Sequence, residues 1–131
     1  MTTRTTAALA SIGQIAINAH DLDRAIAFYR DVLGLPFLFQ APPKLAFFDC
    51  GGVRLMLGIA ERPEFDHPAS ILYYRVADIA AAHATLESRG ARFESKPHVV
   101  HRTATSELWL AFCHDSEGNP LALMSEVAKR S

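Results

Sequence analysis

Two stretches of this chain repeat one rhythm of apolar and polar positions. Ile12 to Gly34 reads IGQIAINAHDLDRAIAFYRDVLG, and Ser70 to Gly90 reads SILYYRVADIAAAHATLESRG. Each predicts a strand, an Asp, a helix and a closing Gly. In the first, Leu22, Ile26, Tyr29 and Leu33 recur at helical spacing behind Asp21, whose carboxylate suits an N-cap. In the second, Ile79, Ala82 and Leu86 form the stripe behind Asp78. Gly34 and Gly90 can take the left-handed conformation that ends a helix. Further on, LAFFDCGGVRLML (Leu45 to Leu57) matches LAFCHDSEGNPLALM (Leu110 to Met124), each an apolar strand, a turn with Asp and Gly, and a second strand. The chain therefore predicts two modules, each a strand, a helix and a later pair of strands, over about 12–61 and about 69–127, with the proline-bounded stretch 62–68 (RPEFDHP) as linker. Residues 1–11 and 128–131 are expected to be tails.

Period-two alternation assigns faces within the strands. Ile15 and Ile17 oppose Gln14, Ala16 and Asn18. Val53, Leu55 and Leu57 oppose Arg54, Met56 and Gly58. Leu72, Tyr74 and Val76 oppose Ile71, Tyr73 and Arg75. Leu108, Leu110 and Phe112 oppose Glu107, Trp109, Ala111 and Cys113, and Leu121 and Leu123 oppose Ala122 and Met124. In each pair the aliphatic set is expected to face a helix. The mixed set is expected to line the hollow of a curved sheet.

Composition narrows the class. A chain of 131 residues, half of them hydrophobic, fits one domain, and about two-thirds of its surface can be buried on folding. Thirteen Lys+Arg against fourteen Asp+Glu leave a net charge of -1, with no basic excess for a phosphate backbone, so no nucleic-acid partner is expected. No apolar run approaches the ~20 residues of a membrane span. The first ten residues, MTTRTTAALA, lack the apolar core of a secretory signal. Cys50 and Cys113 form neither a zinc spacing nor a disulfide framework, so both are expected as thiols in a reducing cytoplasm.

The stretch AINAHDLDRAIAFYRDVLGLPF, the repeated modules and the ending DSEGNPLALM resemble the vicinal oxygen chelate superfamily of glyoxalases, bleomycin-resistance proteins, extradiol dioxygenases and methylmalonyl-CoA epimerases. The likeness spans about residues 12–127. It rests most on Asp21, Leu22, Phe28, Tyr29, Leu33, Gly34 and Leu35. It implies an α+β fold of two βαβββ modules whose curved sheets make a cup with helices outside, and it implies a homodimer. It says little about the reaction, because one fold hosts many chemistries.

The metalloenzymes of that superfamily hold a divalent ion in the cup on four strand positions. Carried over, these fall on Gln14, Met56, Ile71 and Ala122, all on the mixed faces. Only Gln14 offers an oxygen; a thioether suits a hard ion poorly, and Ile and Ala offer no donor. The expectation is a cup without metal or other cofactor. The six histidines do not obviously rebuild a site. His98 and His101, three apart on a strand, should point to opposite faces. His20 and His114 are expected to bond backbone, His67 lies in the linker, and His83 belongs to a helix as a surface or half-buried residue. His101, in a polar stretch, is the one histidine retained as a ligand-contacting or acid–base candidate.

The expected lining is Gln14, Asn18, Phe48, Arg54, Met56, Tyr73, Arg75, His101, Glu107 and Trp109, with Cys113 and Met124 in phase. Aromatic surface with a few polar groups suits a small molecule, and an arginine can hold a carboxylate in a two-pronged contact. Neither a nucleophile elbow nor a phosphate-binding loop is present. Three readings stay open: a metal-free binder of a small, partly apolar organic molecule; a lyase, isomerase or dioxygenase with a reorganised site; and a filled cup serving interaction alone.

Overall fold

A computed structural model describes residues 9–129. Parts of both expected tails, 1–8 and 130–131, lie outside these. The order is β1 (Gln14–Asn18), α1 (Leu22–Ala27) running on as π-helix through Phe28–Val32, β2 (Phe37–Ala41), β3 (Leu45–Cys50), β4 (Val53–Gly58), a 3-10 turn at Pro63–Phe65, β5 (Leu72–Arg75), α2 (Ile79–Ser88), β6 (Arg92–Phe93), β7 (His98–Arg102), β8 (Ser106–His114) and β9 (Pro120–Ala128).

Local chemistry sets the helix ends. The Asp21 carboxylate accepts from the Arg24 backbone N–H at 3.1 Å, and Asp78 does the same for Ala81 at 3.0 Å. Gly34 and Gly90 take φ of 75° and 102°, the left-handed turn that suits a residue without Cβ.

Two curved sheets result, an α+β arrangement. One has the order β1-β4-β3-β2; the other runs β5-β9-β8-β6, with β7 also paired to β8. β1/β4 and β5/β9 are parallel, and the remaining pairs are antiparallel. The second half departs from a strict repeat, since short β6 and β7 both pair with β8 on the side away from β9, where β2 alone pairs with β3 on the side away from β4.

Each half buries its own core between helix and sheet. In the first, Leu22, Ile26 and Tyr29 pack on Ile17, Phe48, Leu55 and Leu57. In the second, Ile79 and Leu86 pack on Ala111 and Leu123. Val32 and Leu33, past the end of α1, reach across to the second core. Among the described residues, no helix is long and apolar enough to cross a membrane.

Candidate functional site

Cross-strand partners share a face, so the ladders fix which residues look away from the helices. In the first sheet Gln14 pairs with Arg54 and Ala16 with Met56, while Phe47 pairs with Met56. These side chains sit opposite the core face of Ile15, Ile17, Leu55 and Phe48. On this outer, concave face the Arg54 Nε donates to the Gln14 Oε1 at 2.8 Å. The Arg54 guanidinium carbon lies 5.0 Å from the Phe47 ring centroid, within cation–π range. The Gln14 Nε2 contacts the Met56 Sδ at 3.6 Å, and Phe39 stacks on Phe47 with centroids 4.6 Å apart.

In the second sheet Tyr73 pairs with Ala122 and Arg75 with Met124, and Phe112 lies across from Ala122. Tyr73 meets Phe112 edge-on at 5.9 Å. Tyr73 and Arg75 are exposed. Arg75 has no hydrogen-bond or ion-pair partner among the described residues.

Four expected cup residues belong elsewhere. Phe48 is fully buried in the first core, because its ladder partner is Leu55, not Met56. Trp109, Cys113 and Glu107 pair with Ser125, Leu121 and Val127, which puts them on the helix side. Trp109 packs against the α2 core. The small Ala111 and Cys113 are fully buried beneath that side, and burial pushes the Cys113 thiol up to about 11. Glu107 accepts from the Arg102 Nε at 2.8 Å. The face that looked aliphatic, Leu108, Leu110 and Phe112, is the concave one. Asn18 keeps the concave phase, but its amide donates to the Phe65 and His67 carbonyls, tying down the linker.

The histidines also differ from expectation. A bulge between Val99 and His101 sets His98 across from Leu110 and His101 across from Leu108. Both therefore fall on the concave side, since the extra residue cancels the alternation. His20 bonds a side chain as well as offering its backbone: its Nε2 meets the Asp66 carboxylate at 2.8 Å, while its N–H donates to Glu117. His114 lies 3.4 Å from Glu94. His83 is buried against Phe93, with ring centroids 4.3 Å apart.

Phe47 is the concave residue beside Arg54 that the sequence reading missed. Its signal was the Gly51–Gly52 pair. Both glycines take positive φ, as a two-residue hairpin turn requires. Counting back from it pairs Cys50 with Val53 and lands Phe47 on Met56.

A scan against family models matches residues 11–123 to the Glyoxalase/Bleomycin resistance protein/Dioxygenase superfamily. The chain belongs to this superfamily. Solved structures agree in fold. A superfamily protein from Nocardioides superposes with TM-score 0.76 at 20% identity, covering 93% of this chain and 87% of its own. One from Alicyclobacillus acidocaldarius gives 0.69 at 22%, covering 88% and 90%. The structure titled lactoylglutathione lyase from Agrobacterium tumefaciens gives 0.67 at 27%, covering 89% and 94%. Among curated proteins, no sequence match is found.

The donor set at the superfamily's metal positions does not fit a divalent ion. Gln14 supplies one amide oxygen, and that oxygen already accepts from a guanidinium. Met56 offers a thioether; Ile71 and Ala122 offer nothing. Among the described residues, no three His, Cys, Asp or Glu side chains converge as ligands. A fixed positive charge, Arg54, instead stands next to the position.

Proposed function

We propose that this superfamily member binds a small, partly apolar organic anion on its concave face, with Arg54 supplying the positive charge that a metal supplies in the superfamily's metalloenzymes. The contact between Gln14 Oε1 and Arg54 Nε at 2.8 Å carries this reading. It holds the guanidinium beside Phe47 and leaves its two remaining nitrogens to meet a carboxylate in a forked contact. Phe47, Phe39 and, from the second module, Tyr73 offer ring surface to the ligand's apolar part. The family resemblance supports a homodimer, and the two unpaired cysteines, Cys50 and Cys113, support a reducing cytoplasm. Lyase, isomerase or dioxygenase activity is the other reading, and the 27% identity to a structure titled lactoylglutathione lyase favours keeping it.

The test is calorimetric titration of a panel of aryl carboxylates and their neutral amides. Carboxylates should bind more tightly than amides. Arg54→Met should weaken the carboxylates tenfold or more and leave the amides alone, and Gln14→Leu should have a smaller effect in the same direction. Equal binding of both series, or indifference to Arg54, overturns the proposal. Turnover of a bound compound would establish the enzyme reading.

A further inference from the structure

The structure holds a cavity of about 710 Å³ that leaves out the Arg54, Gln14 and Phe47 group of the concave face. From β1 it takes Ile15, not Gln14 or Ala16. From β4 it takes Val53 and Leu55, not Arg54 or Met56. From β9 it takes Leu123, not Ala122 or Met124. Each of these belongs to the helix side of its sheet, while β5 contributes both of its faces, Tyr73 and Arg75 of the concave phase as well as Leu72 and Tyr74, and Asp49, the ladder partner of Arg54, also lines the space. The cavity therefore lies between the two modules, mainly on the helix side of the first sheet, and takes in neither Arg54 nor Met56. Ala81, Ala82, Thr85 and Leu86 of α2 bound it on one side, and the segment with Leu33, Leu35 and Pro36 bounds it on the other.

Sequence explains why the space exists. Alanines at two consecutive lining positions of α2 leave a void where larger side chains would close on Ile15 and Leu55. The volume falls within the ~300–1,000 Å³ typical of small-molecule sites. Its wall is mostly apolar. β5 brings Arg75 to the lining, a cation whose guanidinium has no partner among the described residues. Asp49, the acid of the lining, is occupied in the hairpin turn, where its Oδ1 accepts from the Gly52 N–H at 3.1 Å. The Tyr74 ring also forms wall, and its hydroxyl is buried without a hydrogen-bond partner among the described residues.

We propose that this inter-module cavity is a second binding site, for an elongated apolar molecule ending in a carboxylate, with the apolar part between α2 and β1/β4 and the carboxylate on Arg75. A mostly apolar cleft lined by one unpaired cation, with its one acid engaged in a turn, has that complementarity. The site includes none of Arg54, Gln14 and Phe47, although Tyr73 lines it and also belongs to the concave face.

Decanoate and decanol, titrated into the full chain and followed by methyl NMR, test it. Decanoate should shift the methyls of Ile15, Leu86 and Leu123 while leaving Met56 unmoved, and it should bind about tenfold more tightly than decanol, the effect of one charge-assisted contact. Arg75→Gln should remove that preference and leave decanol binding intact. Ala82→Trp, or the milder Ala82→Leu should the tryptophan variant not fold, should weaken both compounds tenfold or more. Absence of decanoate binding, shifts centred on Met56, or full affinity in the filled variant would each overturn the proposal. Shifts at Met56 would assign the ligand to the concave face instead, and loss of aryl carboxylate binding in Arg54→Met bears only on that other site.

Discussion

The Tyr29 hydroxyl donates to the Asp115 carboxylate at 2.6 Å, joining the helix of the first module to the last turn of the second. Both residues are buried. Asp115 also organises its own turn, accepting from the backbone N–H groups of Glu117 and Asn119, each at 2.8 Å. Burial and the neighbouring carboxylate push the phenol far up, so it stays a neutral donor. Tyr29→Phe removes a hydrogen bond to a charged group and leaves a buried acceptor short of a partner. The expected loss is about 1.5–3 kcal/mol in urea unfolding. A loss under about 0.5 kcal/mol would mean the contact does not fasten the modules.

Phe48 and Glu107, read alike from sequence, should respond differently to truncation. Phe48→Ala opens a cavity in the first core and should cost about 3–5 kcal/mol. Glu107→Gln breaks a partly exposed pair with Arg102 and should cost about 1 kcal/mol or less. Equal losses in denaturant titration would contradict the face assignment drawn from the ladders.

The His20 imidazole is raised above its ordinary 6.5, first by its hydrogen bond to Asp66, then by the charges of Asp66 and Glu117. A raised folded-state value means the protonated form favours the native state. The contribution is complete below 6.5 and disappears as pH rises through the raised value. Imidazole proton NMR should therefore give His20 a midpoint above 6.5, and His20→Gln should flatten the slope of melting temperature against pH in that window. A midpoint at or below 6.5 contradicts the pairing.

Metal should leave the protein indifferent. With one occupied amide oxygen at the four superfamily positions, chelator dialysis should change neither melting temperature nor aryl carboxylate affinity. Added Ni²⁺, Zn²⁺ or Mn²⁺ should not raise the melting temperature. A metal-dependent rise of several degrees, reversed by chelation, would show a donor set outside those positions.

Gly90 closes α2 at φ 102°, where a Cβ is strained even though the space is open. Gly90→Ala should destabilise by about 1–2 kcal/mol. Gly13→Ala, at a residue without positive φ and with nothing within 4 Å of an added Cβ, should be nearly neutral. The pair of thermal melts separates backbone strain from crowding.

Local interactions made much of this protein legible in its sequence. The Asp21 and Asp78 caps, the helical stripes and the closing glycines act within a few residues, and the two β–helix–β repeats followed from them. The chemistry of Gln14, Met56, Ile71 and Ala122 was equally legible, since a missing donor atom is missing in any conformation. What tertiary structure alone decided was which side of each strand meets a helix. Alternation gives two faces but no sign, and in β8 the more aliphatic face is the concave one. There the small Ala111 and Cys113 lie beneath the α2 side, and pairing with Leu123 and Leu121 sets the phase. The bulge that turns His98 and His101 to one side, and the cavity left where alanines of α2 face another module, are likewise long-range facts. They arise from strand partners and packing surfaces far apart in the chain, which no short window of residues encodes.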